Sequence, residues 1–155
     1  MRDMLNRLRE GLLAPLLRRP RLLQVAALCV REGQHGTEVL LLTSRGTRRW
    51  ILPKGWPQKG TDEPGAALAE AWEEAGVQRA DVSREPIGRY RSVKRSETGL
   101  EEPCEVMVFR VDVRRMTDDY PESGERTRLW VSPAEAAERV DEPELKTILH
   151  NFART

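Results

Sequence analysis

Residues 53–77 read PKGWPQKGTDEPGAALAEAWEEAGV. Charge is segregated along and just before this stretch: Ser44 to Gly60 carries Arg45, Arg48, Arg49, Lys54 and Lys59 with no acid, whereas Thr61 to Val77 carries Asp62, Glu63, Glu70, Glu73 and Glu74 with no base. A cationic loop therefore runs directly into an anionic segment. Asp62 is placed to cap a helix over 64–75, Pro64 suits its first turn, the alanines favour it, and Gly76 suits the left-handed position after its last turn. On such a helix Glu70, Glu73 and Glu74 stand at i, i+3 and i+4 and share one face. Leu68, Ala71, Trp72 and Ala75 are then expected on the opposite, buried face.

Grouped carboxylates repel one another, and the more so when desolvated. A divalent cation removes that cost, and ligands made only of oxygen suit Mg²⁺ or Mn²⁺, ions commonly shared with substrate phosphates. A plain solvated acidic face is the alternative. The glycine-flanked frame and the basic loop ahead of it favour the cation.

Outward from this stretch, LLQVAALCV at Leu22 to Val30 is apolar on both alternating faces, as in a strand covered on both sides. The turn GQHG at 33–36 leads to a strand over Glu38 to Thr43, with His35 exposed at the tip. Trp50 to Leu52 forms a short strand ended by Pro53. After the helix, Val82 to Val93 reads as a strand or broken hairpin arm, and Glu105 to Val113 as a strand with Met107, Phe109, Val111 and Val113 on one side. Leu129 to Val131 is another short strand. Ser132, with Glu135 three residues on, opens a helix, and a last helix covers Pro143 to Phe152. One internal helix between strands, closed by C-terminal helices, predicts an α/β fold with a mixed sheet between helical layers.

Length and composition set outer bounds. The chain has 155 residues, with 26 basic against 25 acidic. That length fits a single domain with a real core, and near-neutrality supplies no global field for DNA or a membrane surface. Cys29 and Cys104 sit in apolar runs without a CxxC or histidine partner, which predicts buried thiols in a reducing cytoplasm. No run is long enough to span a membrane and no signal peptide is legible. Residues 1–20 are expected to form an amphipathic helix or arm ahead of a domain over 21–155, suited to docking on the domain or to a homodimer in preference to contact with an anionic membrane surface.

The 53–77 stretch resembles the Nudix box, G-x5-E-x7-R-E-U-x-E-E-x-G-U with U aliphatic. Gly55, Glu70, Ala71, Glu73, Glu74, Gly76 and Val77 fall in register, while Thr61 replaces the first Glu of the pattern and Ala69 its Arg. Those two side chains often pair in the family, so losing both leaves no orphaned charge, although Ala69 cannot steer Glu70. The resemblance implies a Nudix-type α/β/α sandwich and Mg-dependent hydrolysis of a diphosphate linkage. Glu70 and Glu74 are then expected as metal ligands. Glu73 is a further ligand or a proton acceptor, with Glu122 and Glu125 as candidate bases from a distant loop. RRWILPKGW followed by EEAGV is similar to the branch that includes diphosphoinositol polyphosphate and diadenosine polyphosphate hydrolases. Arg45, Arg48, Arg49, Lys54, Gly55 and Arg91 are the expected contacts to a small-molecule polyphosphate. Trp50, Trp56, Tyr90, Tyr120 and Trp130 are the aromatics able to hold a base, with Trp72 and Trp130 expected in the core. A phosphate-ligand sensor without catalysis is one rival reading. An RNA 5′-end pyrophosphohydrolase is another, and near-zero net charge disfavours nucleic acid.

Overall fold

The computed structural model describes residues 22–95 and 98–154; the amphipathic segment 1–20 lies outside them. Strand β1 (Leu22–Gly33) is the centre of the molecule, and its odd and even residues serve different cores. Val25, Ala27 and Cys29 face one layer while Ala26, Leu28 and Val30 face the other, all of them buried. That is the double coverage expected of a continuous apolar run.

The remaining strands are β2 (Gly36–Thr43), β3 (Trp50–Ile51), β4 (Lys54–Gly55), β5 (Val77–Val82), β6 (Gly88–Arg95), β7 (Glu101–Met116) and β8 (Arg128–Val131). They form one sheet in the order β3-β2-β1-β7-β5, with β8 also pairing β2, β4 pairing β1 and β6 pairing β7. The β1–β7 pair is parallel and the other pairs are antiparallel, so the sheet is mixed. Helix α1 (Glu63–Ala75) covers one face through Ala66, Ala67, Ala71 and Ala75. Helices α2 (Pro133–Arg139) and α3 (Pro143–Ala153) cover the other through Ala136, Ala137, Leu145 and Leu149. The expected α/β/α sandwich is the observed one.

The local signals for α1 hold in detail. Asp62 accepts from the Gly65 amide at 2.9 Å, and Gly76 sits at φ 74° with its amide donating to the Trp72 carbonyl. A Cβ at Gly76 would run into the Thr117 carbonyl oxygen and the Tyr120 ring, and the first of these is backbone that cannot move aside. Gly76→Ala is therefore expected to cost at least about 2 kcal/mol in denaturant unfolding, from strain and overlap together. Ser132 likewise caps α2, accepting from the Glu135 amide at 3.1 Å.

Several expectations need correction. Val82 to Val93 is broken, as the second of its two readings had it, rather than one strand: β5 ends at Val82 and β6 begins at Gly88. Strand β5 follows α1 at once, carries Gln78, Arg79 and Asp81, and pairs with β7 through register shifts near Arg79, so clean alternation is absent. A two-residue strand, β4, follows Pro53 and pairs with β1, whereas β3 before it pairs with β2. Trp72 and Trp130 are half-buried rather than core, with Arg31 lying over the Trp130 ring at 4.2 Å. His35 is exposed in its turn, and both cysteines are buried free thiols, Cys29 pushed up to about 12 by burial. Among the described residues, no helix is long and apolar enough to cross a membrane.

Candidate active site

The site is built where β4 meets α1. Pairing of Val25 with Gly55 and of Ala26 with Lys54 holds β4 against the central strand, and this brings the β4 backbone onto the carboxylate face of the helix. Glu74 accepts from the Lys54 amide through Oε2 at 3.0 Å. A Cβ on Gly55 would overlap the Glu70 carboxylate, so glycine is what lets that carboxylate lie against the strand.

The acidic face is consequently not the solvent face. Glu70 is 9% exposed and Glu74 4%, whereas Leu68 and Trp72, expected to be buried, are only half-buried. The helix buries small alanines together with two acids, which lie against β4 at Gly55 and at the Lys54 amide. Glu73 is half-buried, and its backbone carbonyl accepts from the Glu122 amide at 3.0 Å.

The counter-ion comes from a residue outside the motif. Arg126, 7% exposed at the side chain, places Nη2 3.0 Å from Glu74 Oε1 and 3.6 Å from Glu122 Oε1. Its Nη1 donates to the Thr43 carbonyl at 3.2 Å, and Nε is buried without a partner. Arg45 extends the chain of charges, lying 3.6 Å from Glu122 and 3.8 Å from Glu125. Sequence reading missed Arg126; its one signal is a basic residue just ahead of the β8 strand after an acidic loop, and nothing local says that Glu74 is its neighbour.

Burial dominates the electrostatics of the carboxylate pair. Desolvation first, then Glu73 and Glu122, push Glu70 up to about 7 despite Arg126. Desolvation pushes Glu74 up to about 8, against the pull of Arg126 and of the Lys54 amide. Both values lie above the ordinary 4.5, so the stability these groups lend is full below that value and is lost as pH rises through 7 and 8. In chelator, the melting temperature is expected to fall between about pH 5 and 8 and to level off above, and a Glu70→Gln/Glu74→Gln double variant is expected to lose that slope in calorimetry.

The basic residues separate into two groups. Arg45, Arg49 and Lys54 line one cavity of about 630 Å³ with Lys94, Gln24 and Val93. Lys54 is lowered from its ordinary value, chiefly by burial, and its Nζ reaches Ser92 Oγ at 3.4 Å. Arg49 is held by Glu142, a buried acid that sequence reading passed over, at 3.4 Å. Arg91 is outside that cavity, exposed and 3.6 Å from Glu144. Arg48 is also outside, exposed at φ 53°. Gly55 faces Glu70 rather than the cavity. Ala69, at the position of the motif arginine, lines a separate groove with Trp72 and Arg114.

Among the described residues, no three histidine, cysteine or carboxylate side chains close around one point suited to a metal. The donor chemistry nonetheless fits a hard divalent cation. Glu70 and Glu74 supply buried oxygens, the β4 backbone meets Glu70 at Gly55 without a Cβ, and the buried Arg126 guanidinium offsets only part of their charge.

A mixed sheet between α1 on one face and α2 and α3 on the other, with helix carboxylates pressed to a glycine strand, defines the class. Residues 21–152 match the NUDIX domain model, and the chain belongs to that family. It is 31% identical over 121 residues to "Nudix hydrolase 12, mitochondrial" of Arabidopsis thaliana, covering 76% of this chain and 59% of that one. It is 30% identical over 109 residues to the mouse "Diphosphoinositol polyphosphate phosphohydrolase 3-alpha", covering 69% and 62%. The chain thus spans about three-fifths of the length of these two relatives. Among solved structures, a Caenorhabditis elegans Ap4A hydrolase shares the fold, with a TM-score of 0.64, 21% identity and coverage of 86% of this chain and 97% of that one.

Proposed function

We propose that this chain hydrolyses a phosphoric anhydride linkage in a small polyphosphate, with Glu70 and Glu74 as the ligands of Mg²⁺ or Mn²⁺. The observation that carries the reading is the burial of two adjacent carboxylates against a strand that only glycine permits, in a chain of the NUDIX family. Purely structural helix acids would face water.

When bound, the divalent ion supplies charge neutralisation for the pyrophosphate oxygens and lowers the pKa of a coordinated water. The protein does the positioning. Glu74 is fixed from two sides, by the Lys54 amide and Arg126, and Glu70 is fixed against Gly55. Arg45, Arg49 and Lys54 hold the phosphates in the adjoining cavity. Water adds to one phosphorus, the bridging P–O bond breaks, and the proton lost by the water passes to a carboxylate. Glu122 is better placed than Glu125: its charge acts on both Glu70 and Glu74 and it is half-buried, whereas Glu125 is exposed. Glu73, half-buried on the same helix, serves as a further ligand.

The cavity favours a phosphate-dense substrate. Four cations, Arg45, Arg49, Lys54 and Lys94, line it, and none of its described lining residues is aromatic. Trp56, two residues after Lys54, is covered by Lys94 Nζ at 4.2 Å, and Trp50, next to Arg49, by the Arg139 guanidinium at 5.6 Å. A diphosphoinositol polyphosphate meets these cations without needing a base platform, and the mouse relative carries that substrate in its name. A panel of diphosphoinositol polyphosphates, diadenosine polyphosphates, ADP-ribose and triphosphorylated RNA, with products identified by mass, is expected to give the highest kcat/KM for the first. A preference for RNA or ADP-ribose contradicts the substrate class. Stabilisation by a ligand without any product points instead to a sensor.

A further inference from the structure

We propose that Arg126 is a resident counter-ion that keeps divalent cations weakly bound to the free protein, so that the cation is taken up together with the substrate's phosphates. The inference rests on the reading of Glu70 and Glu74 as the cation site.

The guanidinium is fixed rather than roaming. It is anchored on the Thr43 carbonyl at 3.2 Å, carried by the segment that pairs back to β2 through Thr127 and Thr43, and almost fully buried. Its Nη2 lies 3.0 Å from Glu74 Oε1 and 3.6 Å from Glu122 Oε1, so one cation already serves carboxylates from the helix and from the loop. The motif arginine is absent at Ala69, and that position opens on a different groove. The charge beside the acids is therefore supplied at Glu74 rather than at the helix residue ahead of Glu70.

A second cation entering beside Glu74 meets a positive charge in a poorly hydrated setting, where Coulomb repulsion is weakly screened. Phosphates delivered to the adjoining cavity of Arg45, Arg49 and Lys54 bring the negative charge that offsets it. Uptake of metal and of phosphate is then coupled, and the coupling is reciprocal.

The test is a Mn²⁺ titration of the full chain followed by electron paramagnetic resonance, with and without methylenediphosphonate. Wild type is expected to bind Mn²⁺ weakly alone and more tightly with the diphosphonate. Arg126→Met is expected to bind Mn²⁺ alone at least about tenfold more tightly than wild type, with most of the diphosphonate effect gone. Arg126→Lys, which keeps the charge, is expected to stay near wild type. In chelator, Arg126→Met is expected to melt lower than wild type and to regain stability with Mn²⁺; if it unfolds outright, Mn²⁺ is expected to refold it. Unchanged or weaker Mn²⁺ binding by Arg126→Met, or no recovery with Mn²⁺, overturns the inference while wild-type binding leaves the cation site standing. No uptake by any of the three proteins, even with diphosphonate, removes both.

Discussion

Glu74→Gln is expected to lower kcat by a factor on the order of 10² to 10³, with little change in the melting temperature measured in chelator near neutral pH. The kinetic loss follows from removing a charge that the chemistry requires, in a site where few groups share the work. The small stability effect follows from burial. Burial pushes Glu74 up to about 8, so its charge is costly to hold in the fold without a cation, and glutamine keeps the shape without that charge. The ion pair with Arg126 at 3.0 Å would suggest a larger cost, but desolvation outweighs it. Addition of Mg²⁺ is expected to stabilise wild type and not the variant. Steady-state kinetics with calorimetry reads both, and full activity in Glu74→Gln contradicts the assignment.

Gly55→Ala is expected to reduce kcat/KM by roughly 10- to 100-fold while shifting stability by less than about 1 kcal/mol. The added methyl meets the tip of the Glu70 side chain, which can swing away; the fold survives and the carboxylate is misplaced. Gly76→Ala is the contrasting case, because its methyl meets the Thr117 backbone and disturbs folding instead of chemistry. A Gly55→Ala protein with normal turnover would mean that Glu70 need not lie against β4.

The sequence carries those parts of the fold whose causes are local. The two-sided apolar run of β1, the Asp62 and Ser132 caps and the Gly76 terminus each act within a few residues, and each is found as expected. Which face of α1 is buried is not local. Ordinary amphipathic logic turns the acids outward, but β4 lies beside Glu70 and Glu74, and its approach depends on pairing with β1, far away in sequence. Strand β5 escaped for a related reason: it lies at the end of the main strand order, with exposed Gln78 and Arg79, so its pattern lacks the apolar alternation of a buried strand. Arg126 was invisible because its partners are contributed by α1 and by the loop before it, and Glu142 because its partner Arg49 is 93 residues away. Of the expected phosphate contacts, Arg45, Arg49 and Lys54 meet in one cavity, lined by the loop before β3 and by the start of β4. Arg91 fell outside because it points to Glu144 at the start of α3.

The most direct test of the central claim is hydrolysis of a diphosphoinositol polyphosphate in ¹⁸O-enriched water, with products analysed by mass. With Mg²⁺, wild type is predicted to place one heavy oxygen in a phosphate product for each anhydride cleaved, and to place none in chelator or in the Glu74→Gln protein. Tight binding of the same compound with no labelled product, or labelling that persists without Mg²⁺ and without Glu74, would contradict it.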